Sequence, residues 1–203
     1  MSYDIELINR KTKQPLLLFQ PQYIRGGTVK AKLDENDNLV QTKETEASIN
    51  ITYNYSHYYV EATRDDRRFF KQEANAEGNV TENSAGIRGL YGKTAAESLP
   101  MLRDMIERIK KKYMDQETGE WSVTKRKKVH FYDENGVEYK DPINAIINSL
   151  PYRKEEEVYE VSEGDTSNYW ESTAANAIIP LMNMLHMAVE HLSDEEAVWD
   201  GDW

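Results

Sequence analysis

The chain has 203 residues, 39% of them apolar and 30% charged, with no cysteine and a net charge of -11. That length suits one domain or a domain with an appendage, built on a lean core. Disulfide frameworks and thiol chemistry are excluded, and the acidity argues against strong unspecific DNA binding.

Tyr3, Ile5 and Leu7 alternate with polar residues and predict a strand. After a polar turn over 9–14, a short apolar run from Leu16 to Phe19 ends at Pro21. Ile24-Arg25-Gly26-Gly27-Thr28 is a glycine-arginine loop. Val29, Ala31 and Leu33 alternate again, and a turn over 34–38 returns residues 39–42 as a hairpin strand. Ala47, Ile49, Ile51, Tyr53 and Tyr55 make the clearest strand, with Ser48, Asn50, Thr52 and Asn54 on its polar face. Further on, Tyr58-Tyr59-Val60 favours strand, residues 62–70 favour a helical turn, and 71–84 reads as a loop.

Gly86 to Pro100 is the stretch around which the chain is organised. Glycines at 86, 89 and 92 lead into Thr94, which with Glu97 spells a capping box. Leu99, Leu102, Ile106, Ile109 and Tyr113 fall on one face of a helix predicted over 95–113, with Lys110 to Lys112 at its end. A helix start with free amides favours an anion. The candidate ligand residues are Arg88, Gly89, Tyr91, Lys93 and Thr94. Arg25, Gly26 and Gly27 would join them from the other loop, and Tyr53 or Tyr91 would hold a base. A phosphate loop is excluded, because Ile87 stands where that motif needs glycine. The plainer alternatives are a tight turn into a capped helix, a strand-to-strand turn, and tyrosines that pack.

Residues 121–132 read as a strand carrying Lys125 to Lys128. A turn over 133–136 follows, with a return over 137–139. The basic runs at 110–112 and 125–128 would track phosphates or merely decorate a helix end and a strand edge. Asp141-Pro142 opens a short helix with Ile143, Ile146, Ile147 and Leu150. After a short run at 158–161 and a loop over 162–167, a last helix is predicted over 168–192, kinked at Pro180. Pro180, Asn183, His186 and Glu190 interrupt its apolar pattern, so it reads as a core helix and no membrane span is expected. Met1 to Asp4 lacks a signal-peptide pattern, and the lack of cysteine is compatible with a reducing cytosol. His57, His130, His186 and His191 lack ligand spacing, Glu163-Gly164-Asp165 and Asp200-Gly201-Asp202 read as turns and caps or as weak cation sites, and no catalytic signature occurs. No enzyme activity, metal or cofactor is assigned.

From Glu155 onward there are thirteen acidic residues and no Lys or Arg, whereas residues 1–154 hold 25 basic against 23 acidic. Such asymmetry marks an acidic interaction region or a solvated helix face. An acidic tail over 193–203 is expected, with Trp199, Asp200, Asp202 and Trp203 as partner-binding candidates. The predicted architecture is α+β: a domain over 1–192 in which an antiparallel sheet packs against two main helices.

Several stretches resemble a group of small proteins encoded by phages and prophages of Gram-positive bacteria. These are Ile24 to Thr28, Asn50 to Tyr55, Gly86 to Leu99, Tyr169 to Ala177 and Trp199 to Asp202. Residues 34–46 and 115–160 look like insertions on that shorter pattern. The resemblance implies a phage accessory protein acting in the host cytoplasm, with counter-defence as the analogous role, and it transfers no catalytic residue. Two functions are expected from it and from the residues together. One is a binding protein holding a small anionic, nucleotide-like ligand in the Gly/Arg loops. The other is an acidic inhibitor, of which a nucleic-acid mimic is one form, covering a basic surface of a host protein.

Overall fold

A computed structural model of the chain describes residues 2–18, 35–36, 46–74 and 80–201. Its strands are β1 (Ser2–Asn9), β2 (Ser48–Thr52), β3 (Phe70–Ala74), β4 (Val80–Ser84), β5 (Val123–Tyr132), β6 (Arg153–Ser162) and β7 (Ala197–Gly201). Its helices are α1 (Ser56–Thr63), α2 (Ala95–Tyr113), α3 (Pro142–Ile147) and α4 (Ala174–Glu190). The class is α+β, with three small antiparallel sheets ordered β2-β1-β7, β3-β4 and β5-β6.

Alternation in β1 puts Ile5 and Leu7 on the inner face of the first sheet, beside Ile49 and Ile51 of β2 and Trp199 of β7. This face packs against α2 and α4, which also pack on each other. Leu102, Met105 and Ile109 of α2 meet Ala177, Leu181, Met184 and Ala188 of α4 in one core. Helix α2 has the expected bounds and the expected capping box: Thr94 Oγ1 accepts from Glu97 N–H, and Glu97 accepts from Thr94 N–H at 2.8 Å. Both α2 and α4 run through their prolines, Pro100 and Pro180.

Four expectations are corrected. Residues 58–60 are helical, because Tyr58 and Tyr59 are buried on one face of α1 against the core, and packing overrides β-propensity. The stretch 71–84 contains the β3-β4 hairpin, with Phe70 paired to Ser84. Residues 168–173 are a hydrogen-bonded loop, and the last helix begins after Thr173, whose hydroxyl accepts from Asn176 N–H. The segment from Ala197 to Gly201 is a strand of the main sheet, not a tail, and Trp199 in it is 1% exposed. The hairpin expected over 29–42, Arg25-Gly26-Gly27, Asp202 and Trp203 lie outside the described residues.

Candidate functional site

The glycine loop folds as a 3-10 turn, Gly86–Leu90, packed against α1 and the residues before β3. A Cβ on Gly89 would lie 2.6 Å from Phe69 Cα, so this glycine permits close backbone packing. The loop amides are engaged. Tyr91 N–H donates to Arg88 O, Lys93 N–H to Leu90 O, and Gly92 N–H to Trp199 O at 2.8 Å. Trp199 N–H donates in return to Lys93 O at 3.0 Å, so residues 92–94 extend the sheet beyond β7. Glu97 supplies the anion at the start of α2. Lys71 Nζ stands 4.8 Å from the centre of the Tyr91 ring, covering a face needed for stacking. Tyr53 opens a 3-10 turn after β2, next to Asn54, whose side chain reaches Trp170 O. The loop therefore brings Arg88, Gly89, Tyr91, Lys93 and Thr94 together as a structural joint rather than an anion nest.

A second helix N-terminus, that of α4, is filled in the same way. Glu163 is 1% exposed, and its carboxylate accepts from Ala174 N–H at 2.8 Å. It also accepts from Tyr58 Oη and Thr124 Oγ1, each at 2.6 Å, and from Arg126 Nη2 at 3.1 Å. Burial pushes its pKa up, but these four donors more than offset that and hold it below the ordinary carboxylate value. Burial lowers His57 on α1, and the nearby Arg126 guanidinium adds to the effect. Asp165 caps the following turn by accepting from Ser167 N–H, so Glu163-Gly164-Asp165 serves as cap and anchor. Among the described residues no three His, Cys, Asp or Glu side chains gather as a metal site.

Thr124 and Arg126 lie at the start of β5, so the Glu163 cluster ties the base of the β5-β6 ribbon to α1 and α4. Trp121 packs over Gly164 at the same place, with Val161 buried beside it. Beyond this base the two strands make their contacts almost wholly with each other. Ten residues per strand give a ribbon about 30 Å long. Beside its backbone ladder it carries complementary charge: Lys125 faces Glu160, Lys128 faces Glu157, and Lys127 Nζ meets Glu156 at 3.0 Å. At the far end His130 is clamped, with Nδ1 2.6 Å from Glu138 and Nε2 3.2 Å from Glu157. The hydrogen bond to Glu138, then that to Glu157, raises its pKa.

The tip carries α3 and a cluster of uncovered apolar side chains. Nine of the sixteen large apolar side chains exposed among the described residues lie between Val123 and Val158. Ile143 is 67% and Ile147 is 73% exposed, and Val137, Ile146, Leu150 and Tyr152 are also open to solvent. Such a concentration on one projection makes it the candidate interaction surface. No family model, curated protein or solved structure matches the chain. Among the described residues no helix is long and apolar enough to cross a membrane.

Of the partner-binding candidates that are described, Trp199 is in the core and is corrected on that ground, while Asp200 stays exposed. Asp200 shares a small depression with Asp4, Glu6 and Lys13. Among the described residues the acidic side chains from Glu155 onward form no single surface. Glu155 to Glu160 lie on β6 opposite basic β5, Glu163 is buried, and Glu196 pairs with Lys11. The isoleucines at 143, 146 and 147 were legible as a helix face but not as an uncovered one. The anchor of Tyr58, Thr124, Arg126 and Glu163 joins residues far apart in sequence, and its one local signal was an acidic residue preceding the last helix.

Proposed function

We propose that this is a binding protein that engages another protein by inserting the tip of its ribbon arm into an apolar cavity. The observation that carries this reading is the set of exposed apolar side chains on the tip of a ribbon whose base is anchored to the body through Glu163. Residues 122–162 hold 7 basic and 8 acidic residues, against 18 and 28 in the rest of the chain. A nearly neutral arm on an acidic body favours a partner whose cavity is apolar and whose rim is basic. The same body repels nucleic acid, which leaves a protein as the partner. On the resemblance to phage accessory proteins, that partner belongs to the host cytoplasm and binding inhibits it. A nucleotide-like ligand at the 86–94 loop is not favoured, because the N–H groups of residues 91–94 and of Glu97 already have acceptors and the Glu97 carboxylate occupies the start of α2.

A photoreactive side chain at Val137 tests this in host lysate, followed by purification of the crosslinked protein and a direct affinity measurement. The purified partner should bind the unmodified chain and lose at least about tenfold in affinity to Ile143→Asp with Ile147→Asp, since a few buried anchors dominate interfaces. Equal affinity for that variant, at unchanged thermal stability, refutes the reading.

A further inference from the structure

A cavity of about 370 Å³ opens between α1 and α2, lined by Tyr58, Glu61, Ala62, Asp65, Arg108, Ile109, Lys112 and Tyr113. This is at the small end of ligand pockets, which run from about 300 to 1,000 Å³. Ile109 is 2% exposed and supplies an apolar floor with Ala62. The Tyr58 and Tyr113 rings meet edge to face, with centres 5.1 Å apart, and make a firm aromatic wall. Burial pushes both hydroxyls above the ordinary tyrosine value, and their carboxylate neighbours add to this, so they remain protonated donors.

The charged groups are unequally engaged. Glu61 uses both oxygens, one on Lys112 Nζ and one on Tyr113 Oη at 2.8 Å. Arg108 donates through Nη1 alone, to Ala62 O at 3.0 Å, and the same atom is 3.0 Å from Asp66. A guanidinium has five N–H donors and an ammonium three. Arg108 therefore keeps Nε and Nη2 unengaged among the described residues, and Lys112 keeps two of its N–H bonds. Asp65 is exposed at the mouth, with no hydrogen bond or ion pair to any described residue. The cleft thus offers spare donors on one helix, a spare carboxylate on the other side and an apolar floor. Its two cations and two carboxylates balance, so a bare polyanion is not what it complements.

We propose that this cleft binds a small zwitterion of the α-amino-acid type. Its carboxylate meets Arg108 and Lys112, its ammonium meets Asp65, and its apolar side chain lies on Ile109 against the tyrosines. The site stands independently of the arm, with which it shares only Tyr58.

Calorimetric titration of the full chain tests it, using L-leucine, L-phenylalanine, 4-methylpentanoate, isoamylamine and ADP as probes. The two amino acids should give saturable binding. The des-amino and des-carboxy analogues of leucine should each bind at least about tenfold more weakly, the effect of losing a hydrogen bond between charged groups. Asp65→Asn should erase the preference for leucine over 4-methylpentanoate without moving the thermal midpoint. Arg108→Gln should weaken both equally. If the loss of Asp66's partner unfolds that variant, Lys112→Gln takes its place. No saturable heat with either amino acid, 4-methylpentanoate binding as tightly as leucine, or binding of ADP alone would each overturn the proposal.

Discussion

Glu163→Gln removes the charge around which α1, α4 and the base of the arm meet. The carboxylate accepts from four donors, and glutamine keeps one accepting oxygen. Its amide nitrogen would face two of these donors; the hydroxyl among them, Thr124 or Tyr58, can turn to accept, but the other, Arg126 or the Ala174 N–H, loses its acceptor. Breaking a buried ion pair on one side commonly costs about 3–5 kcal/mol. The Arg126 side chain is 20% exposed, so water recovers part of that. We expect a loss of about 2–4 kcal/mol. At about 2–4 °C per kcal/mol for a chain of this size, the midpoint should fall by roughly 5–15 °C. Scanning calorimetry measures the shift, and hydrogen exchange locates it, with 122–132 opening before the core. The pH dependence gives a second readout. Because the folded pKa of Glu163 is depressed, its contribution is full above the ordinary value of 4.5 and is lost as pH falls through the folded value. The variant should therefore lose part of the acid-induced fall in stability. A midpoint shift under about 2 °C, or an acid limb as steep as in the parent chain, refutes the anchor.

Thr94→Ala should cost about 1 kcal/mol, read from urea denaturation, because Glu97 N–H loses its acceptor while the m-value stays fixed. Gly89→Ala drives a methyl into the Phe69 backbone and should destabilise by about 1–3 kcal/mol or more; Gly92→Ala meets no atom and should cost only the strain of its positive φ. His130 has a raised pKa, so its clamp on Glu138 and Glu157 is intact below the ordinary imidazole value and is lost as pH rises through the folded value. An NMR titration of the ring should report that raised value, with faster amide exchange at 130–138 on its alkaline side; a ring titrating at or below 6.5 refutes the clamp.

The parts of this fold visible in the sequence were those set by neighbours along the chain. The capping box at Thr94 and Glu97, the apolar stripe from Leu99 to Tyr113 and the alternation around Ile49 each depend on local spacing, and each is found where that spacing puts it, except that the strand stops at Thr52 and Tyr53–Tyr55 turn as a 3-10 helix instead of continuing it. The elements misjudged depend on distant partners. Tyr58 and Tyr59 carry β-favouring side chains into a helix because the core, with Ala177 O accepting from Tyr59 Oη, sits there to receive them. Trp199 looks like an exposed anchor among acids until its pairing with Leu7 is known. The glycine loop lies where its spacing puts it, but spacing shows which amides a loop presents and not what already accepts from them, as Trp199 O does from Gly92 N–H. For the arm, an amphipathic pattern in 143–150 predicts an apolar face, and only the tertiary structure tells that the body lies too far away to cover it.

The pairing of β1 has a consequence for how the chain is made. Ile5 and Leu7 belong to the central strand, flanked on one side by β2 and on the other by β7. Asn9 finds Ala197 only after nearly all of the sequence between them has been synthesised. Until then one edge of β1 is an open row of amides and carbonyls beside apolar side chains, the surface on which nascent chains pair wrongly. Closing the sheet so late gives long-range contacts that slow folding. The loop at 92–94 gains its partner in the same step, so the start of α2 and the sheet lock together when β7 arrives. A chain released without residues 197–201 would keep one edge of β1 unpaired and leave the 92–94 loop without its partner, and should be more open to proteases than the full chain.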